Sequence, residues 1–240
     1  MNVKDQVGVV TGATSGIGRA TAIALAELGM ALALIGRDST RLDSVAAECR
    51  RHSPQVKAYA ADLGSDEDLS RVATMVQEDF SVVDVLIHSA GIFKMGPIKD
   101  SPVSELDELY RTNVRAPYAL THALLPMVCA RQGQIVFMNS SVGLASRANV
   151  AAYAASKHAL KAIADALRAE VNAAGVRVIT VYPGRTATRQ QERIHELEGK
   201  RYEPARLLQP QDVAKAVLDA LAMSRTAEVT DISIRPMQKT

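Results

Sequence analysis

The chain alternates between short apolar runs and longer segments in which apolar residues recur every three or four positions. The short runs predict buried strands at residues 6–11, 30–35, 56–60, 83–87, 134–138 and 176–182. The longer segments predict helices at 17–28, 39–51, 65–80, 103–130 and 151–173. Pro117 and Pro126 fall within the fourth of these helices and should kink it.

This alternation indicates a parallel sheet with helices on both faces. The strands are apolar throughout, as expected where both faces of a strand are buried. Connections are short, and no linker or internal repeat interrupts the series. We therefore expect one α/β domain over residues 1–240, doubly wound in the Rossmann manner, with a mostly parallel sheet of seven strands flanked by helices. Residues 184–208 are charged and lack a clear strand, so we expect a substrate loop or lid there.

A glycine-rich turn lies between the first predicted strand and the first predicted helix. A strand-to-helix turn presents backbone N–H groups and the positive end of the helix, which suit a pyrophosphate. The spacing, glycine at 12, 16 and 18, departs from the usual dinucleotide fingerprint, and an ordinary tight turn remains the alternative. The turn predicts cofactor contacts from Gly12, Thr14, Ser15, Gly16, Ile17 and Gly18.

The end of the second strand bears on the choice of nicotinamide cofactor. A carboxylate there would bind the adenosine ribose hydroxyls and select NAD(H). This chain has Gly36 and Arg37 instead, and the Arg37 guanidinium is suited to a 2′-phosphate. We therefore favour NADP(H) over NAD(H). Asp38 could neutralise Arg37, and Arg37 as a solvated charge at a helix start is the alternative.

Tyr153 and Lys157 are four residues apart on a predicted helix and therefore share one face. A phenol normally ionises near pH 10, too high for a base at neutral pH. A neighbouring ammonium favours the phenolate, so we expect Lys157 to lower the pKa of Tyr153 and fit it for acid–base work. Taken alone, this spacing also occurs by chance on many helices.

The glycine turn, the Tyr153–Lys157 pair and the order of elements together resemble the short-chain dehydrogenase/reductase family over nearly the whole chain. Ser140 lies 13 residues before Tyr153, the spacing usual for the family's serine, with Ser141 as the competing position. Asn113 matches the family's asparagine. The resemblance implies that Ser140 binds the substrate oxygen, Tyr153 exchanges a proton with it and Lys157 holds the nicotinamide ribose. It implies that Asn113 holds a water that links Lys157 to solvent.

Other segments resemble the cofactor contacts of the same family. They supply Asp62, Leu63, Ala90, Gly91, Pro183, Gly184, Thr186 and Thr188, and Tyr153 and Lys157 complete the cofactor set. His88 stands where the family prefers asparagine, so that asparagine's role is not carried over to it. The segment 233–237 departs from the family's glycine-rich ending, which puts a C-terminal role in the oligomer or the pocket in doubt.

Composition and charge limit the kinds of molecule that this protein is expected to bind. The net charge of +2 and the absence of a basic cluster argue against nucleic acid. No apolar run is long enough for a membrane span and no secretory signal is evident, so we expect a cytoplasmic protein. Cys49 and Cys129 are too far apart for redox or metal spacing, and the histidines are scattered, so no metal site is expected. The resemblance implies a homodimer or homotetramer through helices 103–130 and 151–173.

The leading interpretation is an NADP(H)-dependent oxidoreductase that transfers a hydride between the nicotinamide and a carbonyl or alcohol carbon of a small substrate. A 3-oxoacyl-thioester reductase is one alternative, although its thioester carrier should need a basic docking patch. The other alternative is a regulator that binds NADP(H) without chemistry. A regulator would have no need of Ser140, Tyr153 and Lys157.

Overall fold

A computed structural model describes residues 6–53 and 55–238. Seven strands form one sheet in the order β3-β2-β1-β4-β5-β6-β7, and every neighbouring pair is parallel. They are β1 Val7–Thr11, β2 Ala31–Gly36, β3 Val56–Ala60, β4 Val85–His88, β5 Gln134–Met138, β6 Arg177–Pro183 and β7 Asp231–Ile234. The predicted seven-stranded sheet is confirmed. The seventh strand lies in a segment where the apolar pattern had indicated no strand.

Eight α-helices cover the two faces of the sheet in the part of the chain described. They are α1 Gly16–Glu27, α2 Ser39–Cys49, α3 Asp66–Asp79, α4 Val103–Tyr110, α5 Ala116–Ala130, α6 Ala151–Val171, α7 Arg189–Leu197 and α8 Pro210–Leu221. Successive strand residues alternate between two cores: Val9 and Leu86 pack with α3, α5 and α6, whereas Val10 and Ile87 pack with α1, α2 and α8. Because both faces are buried, the strands can be apolar at every position.

The predicted helix 103–130 is present as one helical run whose hydrogen bonding changes in the middle. A π-helical turn at Arg111–Arg115 separates α4 from α5, and the N–H of Ala116 bonds to the carbonyl of Arg111, five residues back. Pro117 follows at once; it cannot donate to Asn113, and its ring would meet that carbonyl in a regular α-helix. The wider π-helical turn avoids this clash, so the irregular hydrogen bonding lies just before Pro117 and includes Asn113.

The segment 184–208 contains α7 and a single parallel bridge between Thr186 and Leu208. Ile194 and His195 on α7 are buried, so the segment packs against the domain. After β7 the chain returns to the same region: a Cβ at Gly184 would lie 3.1 Å from Pro236 Cδ. No helix in the described ranges has the length and apolar character to cross a bilayer.

Candidate active site

One cleft of about 590 Å³ lies at the carboxyl ends of the central strands. The chain leaves β3 and enters β4 on the far side of β1, so the strand order reverses between β1 and β4, where ligands bind in folds of this kind. Every residue predicted to contact the cofactor lines this cleft, as do Ser140, Tyr153 and Lys157. Asn113 is the one predicted site residue that does not.

The glycine turn forms the floor of the cleft beside β4. Gly12 has φ +68°, and a Cβ on it would lie 2.7 Å from the backbone nitrogen of Ala90. A Cβ on Gly18 would lie 2.3 Å from the carbonyl oxygen of Gly12. Ser15 begins α1 without a side-chain capping bond to the helix. The first-turn N–H groups of α1 are therefore available to an anion in the cleft.

Two arginines line the cleft beyond β2: Arg37 directly follows the strand, and Arg41 lies in the first turn of α2. The Asp38 carboxylate accepts the backbone N–H of Arg41 at 3.0 Å and pairs with its guanidinium at 3.1 Å. Asp38 is thus engaged by Arg41, and Arg37 is exposed at the cleft wall. Sequence reasoning missed Arg41, although its position one helical turn after Arg37 was a usable signal. The room left by Gly36 is filled by Thr14: a Cβ at Gly36 would lie 2.5 Å from Thr14 Cγ2.

Tyr153 and Lys157 project from α6 into the other half of the cleft. The Tyr153 side chain is buried and meets the ring of Phe93 edge-on, with centroids 4.8 Å apart. Lys157 Nζ donates to the carbonyl of Met138 at 3.0 Å and lies 5.8 Å from the centroid of the Tyr153 ring. The predicted shared face is therefore present. Phe93, which the sequence reading left unassigned, fixes the plane of the phenol.

Burial decides the protonation of this pair. It raises the pKa of Tyr153 to about 12, because the phenolate would lose its hydration, while the hydrogen bond with Ser140 acts in the opposite direction. Burial also lowers the pKa of Lys157 to about 8. The expectation that Lys157 lowers the pKa of Tyr153 is therefore wrong for this structure. The phenol keeps its proton at neutral pH and is ready to donate it.

Ser140 is the serine whose side chain acts to lower the pKa of Tyr153 against the effect of burial, which distinguishes it from the competing Ser141. Ser140 caps a short helical turn after β5, and its Oγ accepts the N–H of Val142 at 3.4 Å. The preceding residue, Asn139, was not singled out from the sequence. Its Oδ1 accepts the N–H of Ser140 at 2.8 Å, and its Nδ2 donates to the carbonyl of Lys157 at 3.0 Å. Asn139 therefore ties the serine segment to the helix that carries the tyrosine.

Asn113 lies behind the cleft wall. Its Oδ1 accepts the N–H of Ile92 at 2.9 Å, and its Nδ2 donates to the carbonyl of Ile92 at 3.0 Å and to Ser156 Oγ at 3.1 Å. A Cβ on Gly91 would lie 3.2 Å from Asn113 Oδ1 and 3.8 Å from Lys157 Nζ. These bonds hold the backbone that passes beside Lys157. The water contact implied by the resemblance stays a prediction.

His88, the departure from the family pattern, is a core residue. It ends β4 with its ring stacked on Phe137 at 5.0 Å, and its Nε2 lies 2.8 Å from Thr121 Oγ1. Burial lowers the pKa of His88 to about 3, so the ring is neutral. The turn after β4 is held by Thr11, whose Oγ1 accepts the N–H groups of Ser89 and Ala90 at 3.0 and 3.1 Å. His88 itself does not line the cleft.

The sequence profile of the family described as short chain dehydrogenase matches residues 6–199. The chain belongs to this family. It is 36% identical over 236 residues to the zebrafish (Danio rerio) dehydrogenase/reductase SDR family member 7B, covering 93% of this chain and 76% of the relative. It is 32% identical over 234 residues to an uncharacterized oxidoreductase of Staphylococcus aureus, strain MRSA252, covering 97% and 98%.

Solved structures give the same assignment. An alcohol dehydrogenase from the archaeon Thermococcus sibiricus, complexed with 5-hydroxy-NADP, superimposes with a TM-score of 0.88 at 26% identity, covering 98% of each chain. A short chain dehydrogenase from Shigella flexneri complexed with NADP gives a TM-score of 0.88 at 29% identity, covering 97% of this chain and 98% of the other. This short-chain dehydrogenase is an enzyme, an oxidoreductase with a Rossmann-type fold.

Proposed function

We propose that this short-chain dehydrogenase transfers a hydride between NADP(H) and a carbonyl or alcohol carbon of a small substrate, with Tyr153 as the general acid and base. The proposal rests mainly on one observation: the buried phenol of Tyr153 lies, together with Ser140, in the cleft that the glycine turn opens onto. A phenol that keeps its proton is suited to donating it when a carbonyl oxygen gains negative charge.

The cleft fits a dinucleotide. Its floor is built so closely that a Cβ at Gly12 or Gly18 would meet backbone, which lets an anion approach the first turn of α1. The bound cofactor would supply the hydride. Thr14 to Gly18 would hold the pyrophosphate, Asp62 and Leu63 the adenine. The nicotinamide half would be surrounded by Ala90, Gly91, Pro183, Gly184, Thr186 and Thr188.

The protein's own groups divide the remaining work. Ser140 would hydrogen-bond the substrate oxygen, and Tyr153 would give that oxygen a proton as the carbonyl carbon receives the hydride. In the oxidation direction the proton returns to Tyr153. Lys157 would bind the nicotinamide ribose through the ammonium N–H groups that do not donate to Met138. Asn113 and Asn139 would act as positioning residues, because they hold Ile92 and Ser140 in place.

Replacing Tyr153 with phenylalanine tests the chemistry. We expect kcat to fall at least about a hundredfold, the order of magnitude of general acid catalysis, because phenylalanine cannot donate a proton. The dissociation constant for NADPH, followed by fluorescence, should stay within about threefold, since the ring still packs on Phe93. Tyr59→Phe, on β3, whose hydroxyl bonds Asp79 outside the cleft, is the matched control. Full turnover in Tyr153→Phe would disprove the acid–base role. The substrate for these assays would be identified by screening a panel of aldehydes, ketones and hydroxy acids.

We also propose a preference for NADP(H), supported by Arg37 after β2 and Arg41 on α2, and by similar structures solved with 5-hydroxy-NADP and with NADP. Arg37→Ser should weaken NADPH at least about tenfold and leave NADH nearly unchanged, because only NADPH loses a charge-assisted phosphate contact. Arg51→Ser, at an exposed position after α2, is the control. Equal losses for both cofactors would show that Arg37 does not read the phosphate.

The domain organisation and the oligomeric state are also proposals. Residues 1–240 would form one domain, supported by the single continuous sheet. Homodimers or homotetramers would form through 103–130 and 151–173. Val103, Tyr110 and Tyr118 are exposed apolar or aromatic side chains on the first of these segments, as a surface that packs against another copy would require. The cytoplasmic location stays a prediction.

A further inference from the structure

The charged residues that line the cleft are distributed unevenly. The half formed by β1 to β3 carries both signs, with Arg37, Asp38, Arg41 and Asp62. The half formed by β4 to β6 carries cations alone among the described lining residues, which are Arg147, Lys157, Arg185 and Arg189. A cleft wall of one sign concentrates ligands of the opposite sign.

Two of these cations are held in place by a shared carboxylate. The side chain of Glu198, at the end of α7, is only 6% exposed and pairs with Arg147 at 3.0 Å and with Arg185 at 2.7 Å. Lys200 adds a third contact at 3.1 Å. Arg185 is further fixed by His195, whose Nε2 lies 3.4 Å from the second guanidinium nitrogen.

The cluster has more positive charge than its carboxylate can balance. Three cations surround one anion, so two positive charges remain around Glu198. Arg147 comes from the loop between Ser140 and α6, and Arg185 from the segment after β6, so the ion pairs join two separate walls of the cleft. Each guanidinium bonds Glu198 through one nitrogen and has further N–H groups for a second anion.

The positions of these arginines place them with the reacting groups. Arg147 lies between Ser140 and Tyr153 in the chain, and Glu198 ties Arg185 to it. Strands in a sheet lie about 4.8 Å apart, so β5 and β6 are displaced by roughly 14 and 19 Å from β2, which carries Arg37. The segment after β6 reaches the glycine turn at Thr188, since a Cβ on Gly16 would lie 3.0 Å from Thr188 Cγ2, whereas the guanidinium of Arg185 is bound to Glu198 and His195. Arg147 and Arg185 therefore lie on the substrate side, with Ser140 and Tyr153.

We infer that the substrate is an oxo acid, or the corresponding hydroxy acid, whose carboxylate binds Arg147 and Arg185 while its carbonyl oxygen meets Tyr153 and Ser140. This inference rests on the proposed oxidoreductase function and adds the substrate class. Glu198 is the positioning residue: it orients both guanidiniums and does not itself line the cleft. A carboxylate on two preset guanidiniums forms charge-assisted hydrogen bonds with little loss of side-chain freedom.

The test compares aliphatic oxo acids of increasing length with their methyl esters, each with NADPH. We expect kcat/KM for the preferred acid to exceed that for its ester at least about tenfold, since the ester cannot form a charge-assisted pair. In Arg147→Met and Arg185→Met the acid-to-ester ratio of kcat/KM should fall by a similar factor, mainly through KM, with the dissociation constant of NADPH within about threefold. Arg193→Met removes the same charge from an exposed position on α7 outside the cleft and should keep the wild-type ratio.

Two results would overturn this substrate class while leaving the proposed function intact. One is reduction of esters and neutral ketones as fast as oxo acids by the wild-type enzyme. The other is a weakening of NADPH binding in Arg185→Met as large as the loss for the acid, which would assign the cluster to the cofactor. If the wild-type enzyme reduced no carbonyl compound with either cofactor, the proposed function itself would be wrong.

Discussion

The buried ammonium of Lys157 makes a quantitative prediction about stability. Burial lowers the pKa of Lys157 from 10.5 to about 8, and the side chain is 4% exposed. Between these two values the unfolded chain holds a proton that the folded chain has released. Stability must therefore rise with pH in that window. From about pH 7 to about pH 9.5 the rise contributed by this one group is roughly 2 kcal/mol.

The assay is urea unfolding at several pH values across that range, for the wild type and for Lys157→Met. Methionine fills the space of the side chain without a charge, so its unfolding free energy should lack this rise. Tyr153 does not interfere, because its own pKa is raised and it titrates above the range. Lys161→Met, on the exposed side of α6, should keep the wild-type slope. The same slope in Lys157→Met as in the wild type would refute the assignment of the effect to this ammonium.

Two further predictions concern the frame of the site. His88, whose pKa burial lowers from 6.5 to about 3, should cost the fold stability as pH falls below 6.5, about 2 kcal/mol by about pH 5. His88→Gln should remove that acid sensitivity in urea titrations, whereas a change at the exposed His52 should not. Gly12→Ala should reduce the free energy of unfolding by more than about 2 kcal/mol, from positive φ and from the contact with Ala90. Gly199 also has a positive φ, +64°, but no atom lies within 4 Å of a Cβ built on it, so Gly199→Ala measures the cost of the positive φ alone. If Gly12→Ala and Gly199→Ala lost the same free energy of unfolding, the contact with Ala90 would contribute nothing.

The strands and the glycine turn could be predicted because their causes are local. Both faces of β1 and β4 are buried, so their sequences are apolar at every position, and Gly12 and Gly18 stand where no other residue fits. β7 was missed for the opposite reason. It is a short edge strand with Asp231 and Ser233 exposed, which gives too few apolar residues to reveal a strand.

The features that sequence reasoning missed depend on contacts between distant parts of the chain. Arg147 and Glu198 are 51 residues apart, and no periodicity relates them. The protonation of Tyr153 was misjudged because spacing on a helix shows a neighbour and does not show burial. The burial that raises the pKa of Tyr153 comes from residues such as Phe93, which is far from Tyr153 in sequence.

The division of the cleft across the sheet has a consequence for protein engineering. The arginines that would read the 2′-phosphate, Arg37 and Arg41, follow β2. Those that would bind the substrate acid, Arg147 and Arg185, follow β5 and β6, and no ion pair among the described residues joins the two sets. Substitutions in sets this far apart usually contribute additively to the free energy. Coenzyme preference and substrate range should therefore be tunable in separate libraries and then combined in one variant.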